Sequence, residues 1–233
     1  MIAFMYIAVV LISYTLGSIP FGLIISKKFA NTDIRQVGSG KIGMTNVLRT
    51  AGKKAAALAL ILDIAKGVLA VLIASLIFSS KNQPNDGVFT WSESAKTLAA
   101  LSAIAGHSWS VFLRFKGGRG VATFVGGLLA LYWPAGVVGG VFILGIGFRT
   151  KYMSLGSIIG AVTAFIMLMS FNIARLNFLR PYPPFEYVIF SMISAIFIYV
   201  MHRDNITRLF NGTERKLGDR VKAETSPSTS NPK

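Results

Sequence analysis

The fold of this chain is decided by residues 121–148, VATFVGGLLALYWPAGVVGGVFILGIGF, which contain no Asp, Glu, Lys or Arg. A helix needs roughly 20 consecutive apolar residues to cross the hydrocarbon core of a bilayer. The stretch is therefore long enough for one tilted span or for two short ones. Trp133-Pro134 lies at its middle, where proline interrupts a helix and its predecessor avoids helical dihedral angles. Both readings, one span and two, stay open at this point.

Four more stretches lack these charged residues: 1–26, 67–80, 97–113 and 152–174. Hydrophobic residues make up 53% of the chain and charged residues 14%, which is too apolar for a soluble domain. Lipid offers no hydrogen bonds to bare backbone, and the stretches lack the alternation of barrel strands, so they must be helices. We therefore predict an all-α integral membrane protein with about seven transmembrane helices, some of them short. The predicted helices are 2–25, 55–78, 98–113, two within 121–148, 154–173 and 186–201.

The basic residues are distributed unevenly along the chain. The net charge is +15, and most of the 24 Lys and Arg residues fall in 27–54, 114–119, 149–151 and 203–222. Cytoplasmic loops of membrane proteins carry such an excess, so this charge indicates topology and not nucleic-acid binding. The prediction is a multi-pass domain, residues 1–215, with the N-terminus outside and the C-terminus in the cytoplasm. Residues 216–233 are polar and are predicted to form a disordered cytoplasmic tail.

Cysteine and histidine usage limits the chemistry. The chain has no cysteine and only two histidines. This excludes disulfides, thiolate metal sites and a thioester intermediate on the protein, and it excludes a His-rich metal centre. We expect neither a metal nor a cofactor.

The first cytoplasmic loop, GSGKIGMTNVLR at 38–49, has the composition of a phosphate cradle. Glycines let backbone amides turn toward one point, and hydroxyl, amide and cationic side chains add donors around it. Glycine and serine are also ordinary turn residues, so anion binding and a plain turn are equally consistent with this loop. The candidate binding residues here are Gly38, Ser39, Gly40, Lys41, Thr45, Asn46 and Arg49.

A second cluster follows the third predicted helix, where Lys116, Gly117, Gly118 and Arg119 lead into the next helix. The partial positive charge of a helix N-terminus adds to that of the two cations, so this segment favours an anion. His107, just upstream, is a weaker candidate because a lone histidine near a helix end is more often a structural hydrogen-bond partner.

Two further clusters complete the set. Lys151 and Ser154 place a cation and a hydroxyl at a helix start, while His202 and Asn205 are one helical turn apart and can face one site. All four clusters are predicted to lie on the cytoplasmic side of the membrane. Their convergence on one face indicates a single site for negatively charged substrates.

These motifs, with segments 17–22 and 62–67, resemble the bacterial acyl-phosphate-dependent glycerol-3-phosphate acyltransferases, in order, as far as about Glu214. The resemblance implies acyl transfer from acyl phosphate to the 1-hydroxyl of sn-glycerol 3-phosphate, yielding lysophosphatidic acid and phosphate. It also implies a multi-pass protein of the bacterial inner membrane, surrounded by lipid and functionally coupled to a soluble enzyme that makes acyl phosphate. The residues that it implies for the active site are Ser39, Thr45, Arg49, Lys116, Ser154, His202 and Asn205.

The residue types fit that reaction. Arg49 and Lys116 suit phosphate and developing negative charge, and Ser39 and Ser154 suit phosphate or oxyanion hydrogen bonds. His202 is assigned to orientation or proton transfer, although a substrate phosphate is an alternative proton acceptor. The chain departs from the usual family residues at Lys41 (Asn), Met44 (Ala), Arg119 (Lys) and Lys151 (Arg).

Two further expectations concern packing. Asp63 and Lys66 are three residues apart inside a predicted helix and can pair on one face. Six glycines are predicted to let helices approach closely: Gly126, Gly127, Gly136, Gly139, Gly140 and Gly145.

An organic-phosphate transporter is the alternative function, because basic residues and broken helices also suit anion passage.

Overall fold

The computed structural model of the protein describes residues 1–79, 89–176 and 181–219. Every regular element in these ranges is a helix, which confirms the all-α class. Two short 3-10 helices, Ile34–Gln36 and Val111–Leu113, accompany nine α-helices in the described part of the chain. The α-helices are α1 (Ile2–Ser18), α2 (Phe21–Ala30), α3 (Met44–Ile77), α4 (Trp91–Ser108), α5 (Val121–Leu131), α6 (Trp133–Thr150), α7 (Met153–Ile173), α8 (Phe185–Met201) and α9 (Arg203–Phe210).

Several of these segments are long and apolar enough to cross a bilayer. Within the described ranges there are four, Ile2–Ala30, Met44–Ile77, Trp133–Thr150 and Met153–Ile173. A fifth results if α8 and α9, which are bent by 58° relative to each other, count as one broken span. The multi-pass membrane class is therefore clear, while the predicted number of seven spans stays a prediction.

The helix boundaries differ from the predicted ones at three places. The predicted helix 2–25 is broken after Ser18, because Pro20 lacks the amide hydrogen that would continue the helical ladder. Helix α3 begins eleven residues before the predicted position 55, at Met44, and is kinked at Gly52, whose φ of 83° leaves the helical region. Helix α4 (Trp91–Ser108) starts and ends earlier than the predicted 98–113.

Residues 121–148 form two helices, which decides between the two readings of that stretch. Helix α5 ends at Leu131, Tyr132 is extended with φ −146°, and Pro134 lies in the first turn of α6. Proline is favoured there because the first amides of a helix have no intrahelical partner. With 11 residues at about 1.5 Å each, α5 reaches only about 16 Å, roughly half of a hydrocarbon core.

Glycines bring several helix pairs into close contact. A Cβ atom on Gly126 would overlap the carbonyl oxygen of Ile64 in α3, and one on Gly139 would be 3.1 Å from Ala164 Cβ in α7. The close-approach prediction is confirmed for Gly126, Gly127, Gly136 and Gly139. It is wrong for Gly140 and Gly145, where a Cβ atom would meet no backbone of another described helix.

Candidate active site

A cavity of about 160 Å³ lies where the first loop, the starts of three helices and the C-terminal segment, residues 211–219, meet. Ten of the sixteen predicted site residues line it: Ser39, Lys41, Thr45, Asn46, Arg49, His107, Arg119, Ser154, His202 and Asn205. The remaining six, Gly38, Gly40, Lys116, Gly117, Gly118 and Lys151, do not line it. The structure thus brings residues from all four predicted clusters to one place.

Three helix N-termini point into this cavity. Residues 44–45 of α3, 121–122 of α5 and 153–154 of α7 all line it, and no side chain in the described ranges caps any of these helix starts. The first amides of a helix lack intrahelical acceptors and carry a partial positive charge, so each N-terminus attracts an anion. Three of them around one cavity make a site for phosphate groups.

The charged side chains of the cavity reinforce this preference. Five Lys and Arg residues line it against two acidic residues, Asp63 and Glu214. Among the described residues, the Nε atoms of Arg49 and Arg119 are buried without a hydrogen-bond partner. Burial lowers the pKa of Arg119 to about 10, so its guanidinium remains charged at neutral pH. Two charged groups with unused donors are therefore available to an anionic ligand.

Asn46 shapes the first loop. Its side-chain amide nitrogen donates to the carbonyl oxygens of Ile34, Val37 and Lys41 at 2.9–3.1 Å, and its oxygen accepts from the amide of Ser39 at 3.2 Å. Because these contacts occupy its polar atoms, Asn46 acts mainly by holding the loop that presents Ser39 to the cavity. Gly38 and Gly40 adopt left-handed conformations in the same loop, with φ of 63° and 67°.

Lys116 lies outside the cavity, and Arg119 occupies the position expected for it. Arg114 and Phe115 both have positive φ and turn the chain back, which leaves Lys116 exposed at the surface. The amides of Gly117 and Gly118 donate to the carbonyls of Ser108 and His107, both at 3.0 Å. These two glycines close a turn against the end of α4, where a Cβ atom would overlap His107, and Arg119 follows at the cavity wall.

Glu214 is a site residue that sequence reasoning missed. Its Oε1 accepts from Ser154 Oγ at 3.0 Å and from Asn205 Nδ2 at 2.6 Å, and its Oε2 accepts from Arg208 Nε at 2.8 Å. The carboxylate therefore ties α7, α9 and the C-terminal segment together. An acidic residue in a strongly basic stretch was the available signal.

The backbone of the C-terminal segment is held by two further residues. Arg49 Nη2 donates to the carbonyl oxygens of Arg215 and Lys216 at 3.3 and 3.2 Å. The amide of Leu217 donates to the carbonyl of Lys151 at 2.7 Å. Lys151 thus contributes to the site through its backbone, at the left-handed residue that ends α6.

His202 is buried and neutral. Burial and, to a smaller extent, the charge of the nearby Arg119 lower the pKa of His202 to about 4. At neutral pH its Nδ1 carries the hydrogen that is shared with the carbonyl oxygen of Ile198, 2.7 Å away. Because a neutral imidazole has one donor and one acceptor nitrogen, Nε2 is left as the acceptor. The ring can therefore accept a proton or a hydrogen bond from a ligand in the cavity.

A buried charge cluster holds the second loop, residues 109–120, in place. Lys66 Nζ is 2.8 Å from Asp63 Oδ1, and each side chain is 1% exposed, which confirms the predicted pair. Lys66 Nζ also lies 2.7 Å from His107 Nδ1. Since the His107 carbonyl accepts from Gly118, the cluster connects α3 and α4 to the loop that carries Arg119.

The other end of the cavity is apolar. It is lined by Leu60 and Ile64 of α3, Val125 of α5, and Gly140, Ile143 and Leu144 of α6. The short α5 contacts both α3 and α6, so these residues form a cleft between the two longer helices. The cavity as a whole combines an anion-binding end with an end that suits a hydrocarbon chain.

Comparison with known proteins identifies similar proteins whose descriptions agree with one another. Residues 7–212 match the model of a protein family described as glycerol-3-phosphate acyltransferase. The glycerol-3-phosphate acyltransferase 3 of Dehalococcoides mccartyi strain 195 is 46% identical over 219 residues, which cover 91% of this chain and 95% of that protein. The glycerol-3-phosphate acyltransferase of Nostoc sp. PCC 7120 is 40% identical over 227 residues, with 95% and 96% covered.

Two crystal structures of PlsY (YgiH), an integral membrane glycerol 3-phosphate acyltransferase, share this fold. The glycerol 3-phosphate form superposes with a TM-score of 0.77 at 34% identity, covering 91% of this chain and 96% of that one. The lysophosphatidic acid form gives a TM-score of 0.75 at 32% identity, with 91% and 95% covered.

Proposed function

Because this chain belongs to the glycerol-3-phosphate acyltransferase family, we propose that it transfers a fatty acyl group from an acyl phosphate to the 1-hydroxyl of sn-glycerol 3-phosphate. The products are lysophosphatidic acid and inorganic phosphate. One observation carries this proposal: three helix N-termini and two arginines with unused donors face a cavity whose other end is apolar. Such a cavity suits one substrate that is a phosphate ester and another that joins a phosphate to an acyl chain.

The two phosphates take the polar end of the cavity. Arg49 and Arg119 bind them, with the helix starts at Thr45 and Ser154 supplying amide donors and Thr45 adding a hydroxyl donor. Lys41 adds a further cation from the first loop. This set replaces the cationic role that the sequence assigned to Lys116.

The reaction itself needs no covalent intermediate on the protein. The hydroxyl oxygen of glycerol 3-phosphate bonds to the acyl carbonyl carbon, and the bond from that carbon to the phosphate oxygen breaks, with its electron pair leaving on phosphate. Phosphate is a good leaving group, so positioning and charge stabilisation supply the catalysis. Ser39 lines the cavity and is the hydroxyl donor for the developing oxyanion or the phosphate, while Ser154, whose hydroxyl donates to Glu214, contributes its backbone amide at the start of α7.

The hydroxyl proton goes to His202 Nε2 in this proposal. The neutral ring, held through Nδ1 by the Ile198 carbonyl, presents Nε2 as an acceptor. Asn205 lies one turn further along and orients the glycerol moiety through its side-chain oxygen, which is buried without a partner among the described residues. Glu214 holds Asn205 and Ser154 in place.

The proposal also specifies the membrane, the orientation of the enzyme in it and the source of the acyl donor. The cavity faces the cytoplasm in the inner membrane of a bacterium, with the N-terminus outside and the C-terminus inside. A soluble enzyme that produces acyl phosphate supplies the donor. The basic loops on the cavity side support this orientation.

The test is a donor comparison with the purified protein in liposomes. Labelled glycerol 3-phosphate is supplied with palmitoyl phosphate or with palmitoyl-CoA, and lysophosphatidic acid and phosphate are measured. We expect one equivalent of each product from palmitoyl phosphate and none from palmitoyl-CoA, and we expect Arg49→Gln to be inactive. Efficient use of palmitoyl-CoA would contradict the proposed donor. Uptake of glycerol 3-phosphate into sealed vesicles without any lipid product would instead identify a transporter.

A further inference from the structure

The glycines of α6 differ in what surrounds them. A Cβ atom on Gly136 would be 2.7 Å from the backbone nitrogen of Leu129, and one on Gly139 would be 3.3 Å from the carbonyl oxygen of Gly160. Among the residues that the structure describes, a Cβ atom on Gly140 would meet only Val125 Cγ1, at an ordinary contact distance of 3.9 Å. Helix packing therefore requires glycine at the first two positions and not at Gly140.

Gly140 destabilises its helix relative to alanine, and packing against other helices does not account for a glycine there. Glycine inside a helix is less stable than alanine because it loses more backbone freedom on folding. Gly140 lines the apolar end of the cavity, and its missing side chain would point toward Val125, which lines the same cleft. What the glycine provides at this position is open space in the cleft.

The position of Gly140 relates this space to the length of a bound chain. Gly140 is ten residues before Thr150, the last residue of α6, which corresponds to about 15 Å along the helix. The polar end of the cavity, at Ser154, lies just beyond that helix end. An extended chain advances about 3.3–3.6 Å for every three bonds, or about 1.2 Å per bond, so 15 Å corresponds to about twelve bonds.

We propose that Gly140 determines which acyl chains the enzyme accepts, because the absence of a side chain there admits the part of the acyl chain beyond about its twelfth carbon. Gly140 is thus a specificity-determining residue in the wall of the cleft. The proposal rests on the proposed function, since it assumes an acyl donor whose phosphate lies at the polar end. A side chain at this position would displace the distal methylenes of a long chain and leave a shorter chain untouched.

The experiment compares Gly140→Leu with Gly145→Leu, a change on the same helix. A Cβ atom on Gly145 would have no neighbour within 4 Å in the described part of the chain, and this residue is exposed and does not line the cavity. For each variant, kcat/KM is measured with palmitoyl phosphate and with decanoyl phosphate in liposomes. Each methylene that loses its apolar contact costs about fourfold. The ratio of palmitoyl to decanoyl should therefore fall by about tenfold or more in Gly140→Leu. It should stay within about twofold of the wild-type ratio in Gly145→Leu.

An unchanged ratio in Gly140→Leu, or an equal fall in Gly145→Leu, would overturn the proposal. Should Gly140→Leu be inactive with both donors, Gly140→Ala carries the test, because its Cβ atom fits at 3.9 Å from Val125. It should lower the ratio in the same direction, and an unchanged ratio would again overturn the proposal. If the wild type accepts only acyl-CoA, the proposed donor fails, and the same ratio measured with palmitoyl-CoA and decanoyl-CoA still decides the role of Gly140.

Discussion

Arg119 and Lys116 provide the sharpest test of how the site binds phosphate. The two residues are three positions apart in one loop, and the sequence predicts Lys116 as a catalytic phosphate ligand and Arg119 as a further binding residue. The structure places Arg119 at the cavity wall with a buried Nε atom that has no partner within the described ranges, and it leaves Lys116 exposed outside the cavity. The perturbations are Arg119→Gln and Lys116→Gln, which remove one charge each and keep a polar side chain.

The expected magnitudes follow from these two environments. A hydrogen bond to a charged, buried group contributes about 1.5–3 kcal/mol, which corresponds to a loss of about 10- to 150-fold in kcat/KM for Arg119→Gln. An exposed charge is screened by water and salt, so Lys116→Gln should lose less than about fivefold. Arg119→Lys should fall between the two, because it keeps the charge and loses the bidentate geometry of the guanidinium.

The assay is steady-state turnover of glycerol 3-phosphate at saturating palmitoyl phosphate, with purified protein in liposomes. Thermal unfolding of each variant in detergent checks that the helices remain folded. The reasoning would be refuted if Lys116→Gln lost tenfold or more while Arg119→Gln kept most of its activity.

Two further predictions concern buried titratable groups. His202 is active when neutral, so the acidic limb of kcat/KM that is due to this residue should lie near pH 4 and not near pH 6.5. In Arg119→Gln, NMR titration of His202 should show a pKa above about 4, because a repelling positive charge has been removed. The pKa of His202 is lower in the folded than in the unfolded protein. The stability that this residue contributes is therefore present above pH 6.5 and is lost as the pH falls toward 4. A His202 pKa near 6.5 in the folded wild type would contradict the predicted pH dependence of both activity and stability. Lys66→Met should lower the free energy of unfolding by about 3–5 kcal/mol, because it leaves Asp63 buried without the lysine of its ion pair. Lys96→Met removes a partly exposed ion pair and should lower the free energy of unfolding by less than about 1 kcal/mol, as measured by thermal unfolding. Equal losses in the two variants would show that burial does not decide the cost.

Much of the fold follows from hydrophobic length and charge placement. The last two long helices, α7 and α8, begin within one residue of their predicted starts and end where predicted, because long apolar runs bounded by polar loops leave few alternatives. The break at Ile19-Pro20 and the early start of α3 were missed. Both depend on local backbone geometry, a proline inside an apolar run and a kink at Gly52, that hydropathy does not register.

The sequence predicts the loops that line the cavity more accurately than the individual residues that line it. Donor-rich segments can be recognised from composition, but composition does not say which side chain of a basic run faces inward. In the second loop, that choice depends on the left-handed conformations of Arg114 and Phe115, which turn Lys116 outward and Arg119 inward. Glu214 was missed because its role arises only from the tertiary contact that brings it to Ser154 and Asn205.

The proposed active site requires that loops distant in the sequence meet around one cavity on one face of the membrane. The chain has no cysteine, so Ser39→Cys and Ser154→Cys each introduce a unique thiol at the cavity. Phe89→Cys serves as the control, because Phe89 lies beyond the opposite end of α3 and is 41% exposed. Each protein is treated with a membrane-impermeant thiol reagent in sealed vesicles of known orientation, with and without glycerol 3-phosphate.

We expect both cavity thiols to react only from the cytoplasmic side and to be protected by glycerol 3-phosphate, while the thiol at position 89 reacts only from the other side and is not protected. Reaction of the thiols at positions 39 and 154 from opposite sides of the membrane would contradict the shared cavity and the function proposed from it.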